Sequence, residues 1–104
     1  MNIGKMMMQA KKMQENMKTM QLELADMEVS GEAGGGMVHV TMSGDKAVHR
    51  VEIDPSLWAE QDKALVEDLV AAAVNHASQK AEAIAKEKQQ SLMAGMPLPP
   101  GFSL

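Results

Sequence analysis

Cysteine is absent from the 104 residues, which excludes disulfides, thiolate metal sites and thiol nucleophiles and suits a reducing compartment. Aromatic side chains are nearly as scarce, with only Trp58 and Phe102, so Val, Leu, Ala and twelve methionines must supply the surface of a soft, adaptable core. No apolar run approaches the roughly 18 residues of a membrane span. The start, MNIGKMMMQAKK, has no uninterrupted apolar segment of the signal-peptide kind. A soluble, cytoplasmic protein without a membrane partner is expected. No carboxylate pair, nucleophile with base or metal cluster can be picked out, so no enzyme activity, small-molecule substrate or cofactor is expected. His39, His49 and His76 lack metal-ligand spacing and read as solvated or hydrogen-bonded. The glycines at 34 to 36 are not followed by Lys-Ser or Lys-Thr, and a strand rather than a helix comes next, which excludes a phosphate loop.

What is present is ordinary globular composition, 45% hydrophobic and 23% charged, sufficient for one domain. Gly34, Gly35 and Gly36 suit positive φ, and Met37 to Met42 then alternates apolar and polar with strand period. Ser43-Gly44-Asp45 signals a second turn into Ala47 to Ile53, so the two runs predict an antiparallel hairpin. Glu28 to Ala33 reads as a third strand beside it. Val48 falls out of step with Val51 and Ile53, which predicts a bulge near His49-Arg50.

Ahead of the sheet, Ile3, Met6, Ala10, Met13, Met17, Met20, Leu24 and Met27 recur in steps of three and four, the spacing of a heptad seam. One helix from Asn2 to Glu28 would be roughly 40 Å long, whereas a compact domain of this size has a radius of gyration of about 13 Å. Part of the helix must project, and its seam then needs a partner. Met13, Met17, Met20 and Leu24 are therefore expected at a homodimer interface. Lys5, Lys11, Lys12 and Lys18 occupy the two heptad positions pointing away from the seam, against one acid, Glu15, in residues 1 to 22. Such a face either binds an anion or merely solvates the helix, with Glu15 pairing locally.

Asp54 and Pro55 predict the cap and first residue of a helical turn carrying Leu57 and Trp58, with Trp58 plugging an edge of the core. Asp62 is a second capping candidate, and Val66, Leu69, Val70, Ala73, Ala77, Ala81 and Ile84 line one side of a second long helix. Lys80, Lys86 and Lys88 return positive charge near its end. Residues 1–93 read as a single domain and 94–104 as a flexible Pro/Gly-rich tail or docking segment.

The segment GEAGGGMVHVTMSGDKAVHRVEIDPSLW, the helix with EDLVAAAVNHA and the tail AGMPLPPGF together resemble the YbaB/EbfC family across essentially the whole chain. The resemblance implies a bacterial nucleoid-associated, DNA-binding protein of α+β class. Its α-β-β-β-α order would have long terminal helices around a small antiparallel sheet, assembled as a tweezers-like homodimer. DNA would then lie against Lys5, Lys11, Lys12 and Lys18, with Lys86 and Lys88 assisting. A structural or adaptor role through protein contacts of the helices and tail is the alternative.

Overall fold

In the computed structural model, which describes residues 2–94, helix α1 spans Ile3–Asp26 and leads into strands β1 (Glu28–Ala33), β2 (Val38–Ser43) and β3 (Val48–Ile53). A short helix α2 (Pro55–Ala59) and the long α3 (Lys63–Ala94) follow. The expected α-β-β-β-α order is thus present. The Pro/Gly-rich tail lies outside the described residues except for Ala94, the last residue of α3.

Asn2, expected inside the first helix, is instead its cap, with its side-chain oxygen accepting from the Lys5 N–H at 3.1 Å. At the other end Met27 turns extended and Glu28 begins β1. The Leu24 carbonyl that α1 leaves unpaired accepts from the N–H groups of Met27 and Gly44. Gly44 is required here for closeness: a Cβ on it would lie 2.7 Å from the Leu24 oxygen. The root of α1 is thereby fastened to the β2–β3 turn. The left-handed residue of that turn is Lys46, with φ 73°, rather than the glycine.

The strands form one antiparallel sheet in the order β1-β2-β3. Gly34, Gly35 and Gly36 all take positive φ between β1 and β2, as their sequence suggests. Thr41 pairs with Arg50 but Met42 pairs with Val48, so His49 is the extra residue of a bulge that turns Val48 onto the face of Val51 and Ile53.

α3 lies across β1 and β2 on one face of the sheet, burying Val29, Val38, Val40 and Met42 against its Ala73, Ala77 and Ala81. Its side chains also stopper the outer edge of β1. Lys80 Nζ donates to the Ser30 carbonyl at 3.0 Å, and the Glu32 N–H donates to His76 Nδ1 at 3.0 Å. Leu57 fills the core from α2, whereas Trp58 is 69% exposed and does not plug its edge. Neighbouring residues of a helical turn point about 100° apart, so seating Leu57 inward sends Trp58 out.

Asp54 caps α2 by accepting from the Ser56 hydroxyl and from its backbone N–H, and these bonds hold the carboxyl below the ordinary 3.8, the hydroxyl contributing most. Because the folded value is depressed, the stabilisation is present above the ordinary Asp range and lost as pH falls through the lowered value. A carboxyl-carbon NMR titration is expected to place the Asp54 inflection below 3.8; an inflection at or above it would contradict the cap.

Candidate nucleic-acid interface

The Cα radius of gyration is 19.7 Å and the longest extent 69 Å, against about 13 Å for a compact 100-residue domain. The excess length comes from α1 and α3, which run beyond the sheet. Residues 3–12 of α1 are exposed throughout. Nearer the sheet α1 lies beside the end of α3, with Lys88 Nζ 3.1 Å from Glu23 Oε2. An open groove of about 600 Å³ separates the two helices, lined by Asn16, Thr19, Met20, Ile84, Lys88 and Leu92 among others.

Helical periodicity sends the lysines away from this contact. Met20 and Leu24 point inward and are buried, while Lys5, Lys11, Lys12 and Lys18 are exposed on the other side of α1. Among the described residues, none of these lysines takes part in an ion pair. Most cations of the body differ: Lys46 pairs with Glu82, Arg50 with Glu52 and Lys88 with Glu23, and Lys80 is tied to Ser30. Of the two lysines expected to assist from α3, Lys86 is exposed and outside those ion pairs, whereas Lys88 is held by Glu23. Lys63, not singled out from the sequence, is another exposed lysine outside those pairs, but it starts α3 next to Asp62 and Glu67.

Lys5 sits in the first turn of α1, where no acidic residue is present. A cation there opposes the positive end of the helix dipole and costs the isolated helix a few tenths of a kcal/mol, about 0.3–1. The same placement adds the dipole to the lysine charges as a field that attracts an anion.

The apolar stripe is divided along its length. Met20 and Leu24, assigned from the sequence to contact with a second copy, are already buried within this chain, Met20 where α1 faces α3 and Leu24 against Gly44 of the β2–β3 turn. Met13 is half-buried, and Met17, Met6 and Ile3 are progressively more exposed toward the tip.

Among the described residues no group of three or more His, Asp or Glu side chains could hold a metal ion, and no helix is long and apolar enough to cross a membrane. A small α+β protein with a basic projecting helix is the class this architecture defines. The chain belongs to the YbaB/EbfC DNA-binding family, a family of nucleoid-associated proteins, whose sequence model matches residues 1–96. Its fold is similar to that of the uncharacterized protein HP0035 from Helicobacter pylori, with a TM-score of 0.80 at 22% identity over 89% of this chain and 98% of that one.

Proposed function

We propose that the protein binds duplex DNA as a homodimer, mainly through phosphates and with little sequence preference, in the cytoplasm at the nucleoid, where it shapes DNA and affects gene expression. The observation that carries this reading is the exposed row of Lys5, Lys11, Lys12 and Lys18 on a helix that projects from the body of a chain whose net charge is −4. From Lys5 to Lys18 the helix rises about 20 Å, comparable to six base-pair steps. Arg50 is the only arginine and is bound to Glu52 on the sheet, so the residue best suited to reading guanine is not on α1. Glu52, Asp54, Glu60, Asp62, Glu67 and Asp68 are exposed around α2 and the start of α3. Their field repels phosphate and leaves the α1 tips as the favoured contact.

Binding measured by fluorescence anisotropy on two unrelated duplexes over a series of salt concentrations tests this. Each phosphate contact contributes about −0.9 to the slope of log K against log salt, so four to six contacts per dimer give roughly −3.6 to −5.4, with similar affinity for both duplexes. A nearly flat slope would instead favour the adaptor reading, which the exposed Met6, Met7 and Met8 and the groove between α1 and α3 support.

A further inference from the structure

The apolar stripe of α1 outlasts the helix that covers it. Leu92, in the last turn of α3, lines the groove together with Asn16, and α3 ends at Ala94. Beyond that level α1 runs on from Asn16 to Ile3, a rise of about 20 Å. Met13 and Met6 stand one and two heptads before Met20, so they continue the side that Met20 presents to α3. Met13 is half-buried, whereas Met6 is 54% and Ile3 68% exposed. Contiguous apolar surface left bare where the neighbouring helix stops marks a docking site.

The sequence that follows α3 at this point suits that surface. Residues 95–104 read GMPLPPGFSL, with no charged side chain and with Met96, Leu98 and Phe102 set among three prolines. Gly95 is the residue type that most readily turns a chain off the end of a helix. Proline favours the polyproline conformation, in which ten residues reach up to about 31 Å at about 3.1 Å each. That is enough to leave α3 and follow α1 over its bare length. Pro97, Pro99 and Pro100 have no N–H to leave unpaired against an apolar surface, and their fixed φ reduces the entropy lost on docking.

We propose that residues 96–102 dock in extended form on Met13, Ala10 and Met6 of the same chain, antiparallel to α1, and bring Phe102 beside Met6. Six steps from Met96 to Phe102 cover about 19 Å, close to the rise of the bare stretch. The tether to α3 is one glycine, so the segment is held at high effective concentration over its own stripe and outcompetes the same segment of another copy. Met13, expected from the sequence at a contact between copies, is thereby assigned to a contact within the chain. The docked segment is uncharged and lies away from Lys5, Lys11, Lys12 and Lys18. The arm then has a basic side open to an anion and an apolar side sheathed by the chain itself. A protein that used the stripe would first have to displace this segment. The assignment stands independently of the DNA-binding reading.

The absence of cysteine permits a direct test in the full chain. M6C/F102C is expected to close into a disulfide within one chain at least about tenfold faster than M8C/F102C, because only a docked segment concentrates the two thiols. Met8 lies as far along the arm but about 200° round the helix from Met6, and both are exposed, so neither change disturbs the fold. A mixture of Met6→Cys and Phe102→Cys chains is expected to give few two-chain products. In methionine-methyl NMR, Phe102→Ala is expected to shift the Met6 resonance by removing the adjacent ring and to leave that of the buried Met20 in place. Equal closure rates, or a Met6 resonance that Phe102→Ala does not move, would overturn the docking. Abundant two-chain products from the mixture would give the segment to another copy instead. A Met6 resonance that responds to protein dilution but not to Phe102→Ala would show that a second copy's helix covers the stripe.

Discussion

Reversing two charges on the projecting helix, K11E/K12E, is expected to lower affinity for duplex DNA by at least about four thousandfold at 0.1 M salt. Two phosphate contacts per copy make four per dimer, and each lost contact removes roughly a factor of 8 at that concentration through counterion release. The new glutamates repel phosphate in addition. The salt slope should become shallower by about 3.6. Lys11 and Lys12 are exposed, take no part in the ion pairs and lie outside the covered stretch around Met20 and Leu24. Helicity and sedimentation should therefore stay native. Lys63→Glu, which reverses an equally exposed lysine on the acidic body, is expected to change affinity by no more than about threefold. Equal losses from the two variants would mean that net charge matters rather than the α1 face, and undiminished binding by K11E/K12E would mean that another surface holds the DNA.

Replacing Gly31 by alanine is expected to cost about 3 kcal/mol or more, at the upper end of what overpacking produces. The added Cβ would fall 2.3 Å from the Ala77 nitrogen and 2.6 Å from the Ala73 oxygen. Both are backbone atoms of α3, so no side chain can swing away. Relief requires α3 to lift from the sheet, opening the contacts of Ala73, Ala77 and Ala81 with the valines beneath. At roughly 4–8 °C per kcal/mol for a domain of this size, the midpoint should fall by about 12–24 °C in thermal unfolding at fixed protein concentration. Gly35→Ala serves as the comparison. Its Cβ meets nothing within 4 Å, and only the φ of +66° opposes it, which costs about 1–2 kcal/mol. If Gly31→Ala melts no lower than Gly35→Ala, the close approach of β1 to α3 is not what seats the helix.

Elements governed by near neighbours could be read from the chain alone. The three-and-four spacing of α1, the glycine run before β2, the phase slip at Val48 and the Asp54-Pro55 start of α2 all depend on residues a few positions apart, and the structure contains each. The lysine face followed for the same reason, since helical period alone determines which residues share a side. Contacts across the chain could not be foreseen in this way. Glu23 meets Lys88 and Ser30 meets Lys80 only after folding, and sequence gives no sign that β1 is stoppered while β3 is not. Met20 and Leu24 were legible as part of an apolar seam, but their burial within this chain depends on contacts that the sequence does not show. Gly44 was legible only as part of a turn signal, whereas its role is to let the Leu24 carbonyl approach, and Lys46 carries the left-handed conformation.

The fastening of α1 at Gly44 and Lys88, with residues 2–12 exposed, makes the helix a cantilever. Over a length of roughly 36 Å, a tilt of about 5° at the root carries the tip some 3 Å, close to the rise of about 3.4 Å per base pair along one DNA strand. In the proposed complex, a grip of this kind would accommodate a phosphate out of register by elastic compliance at a single joint, with the lysine spacing along the arm unchanged. The stiffness of that joint, rather than any groove-reading side chain, would then set how much DNA shape the protein tolerates.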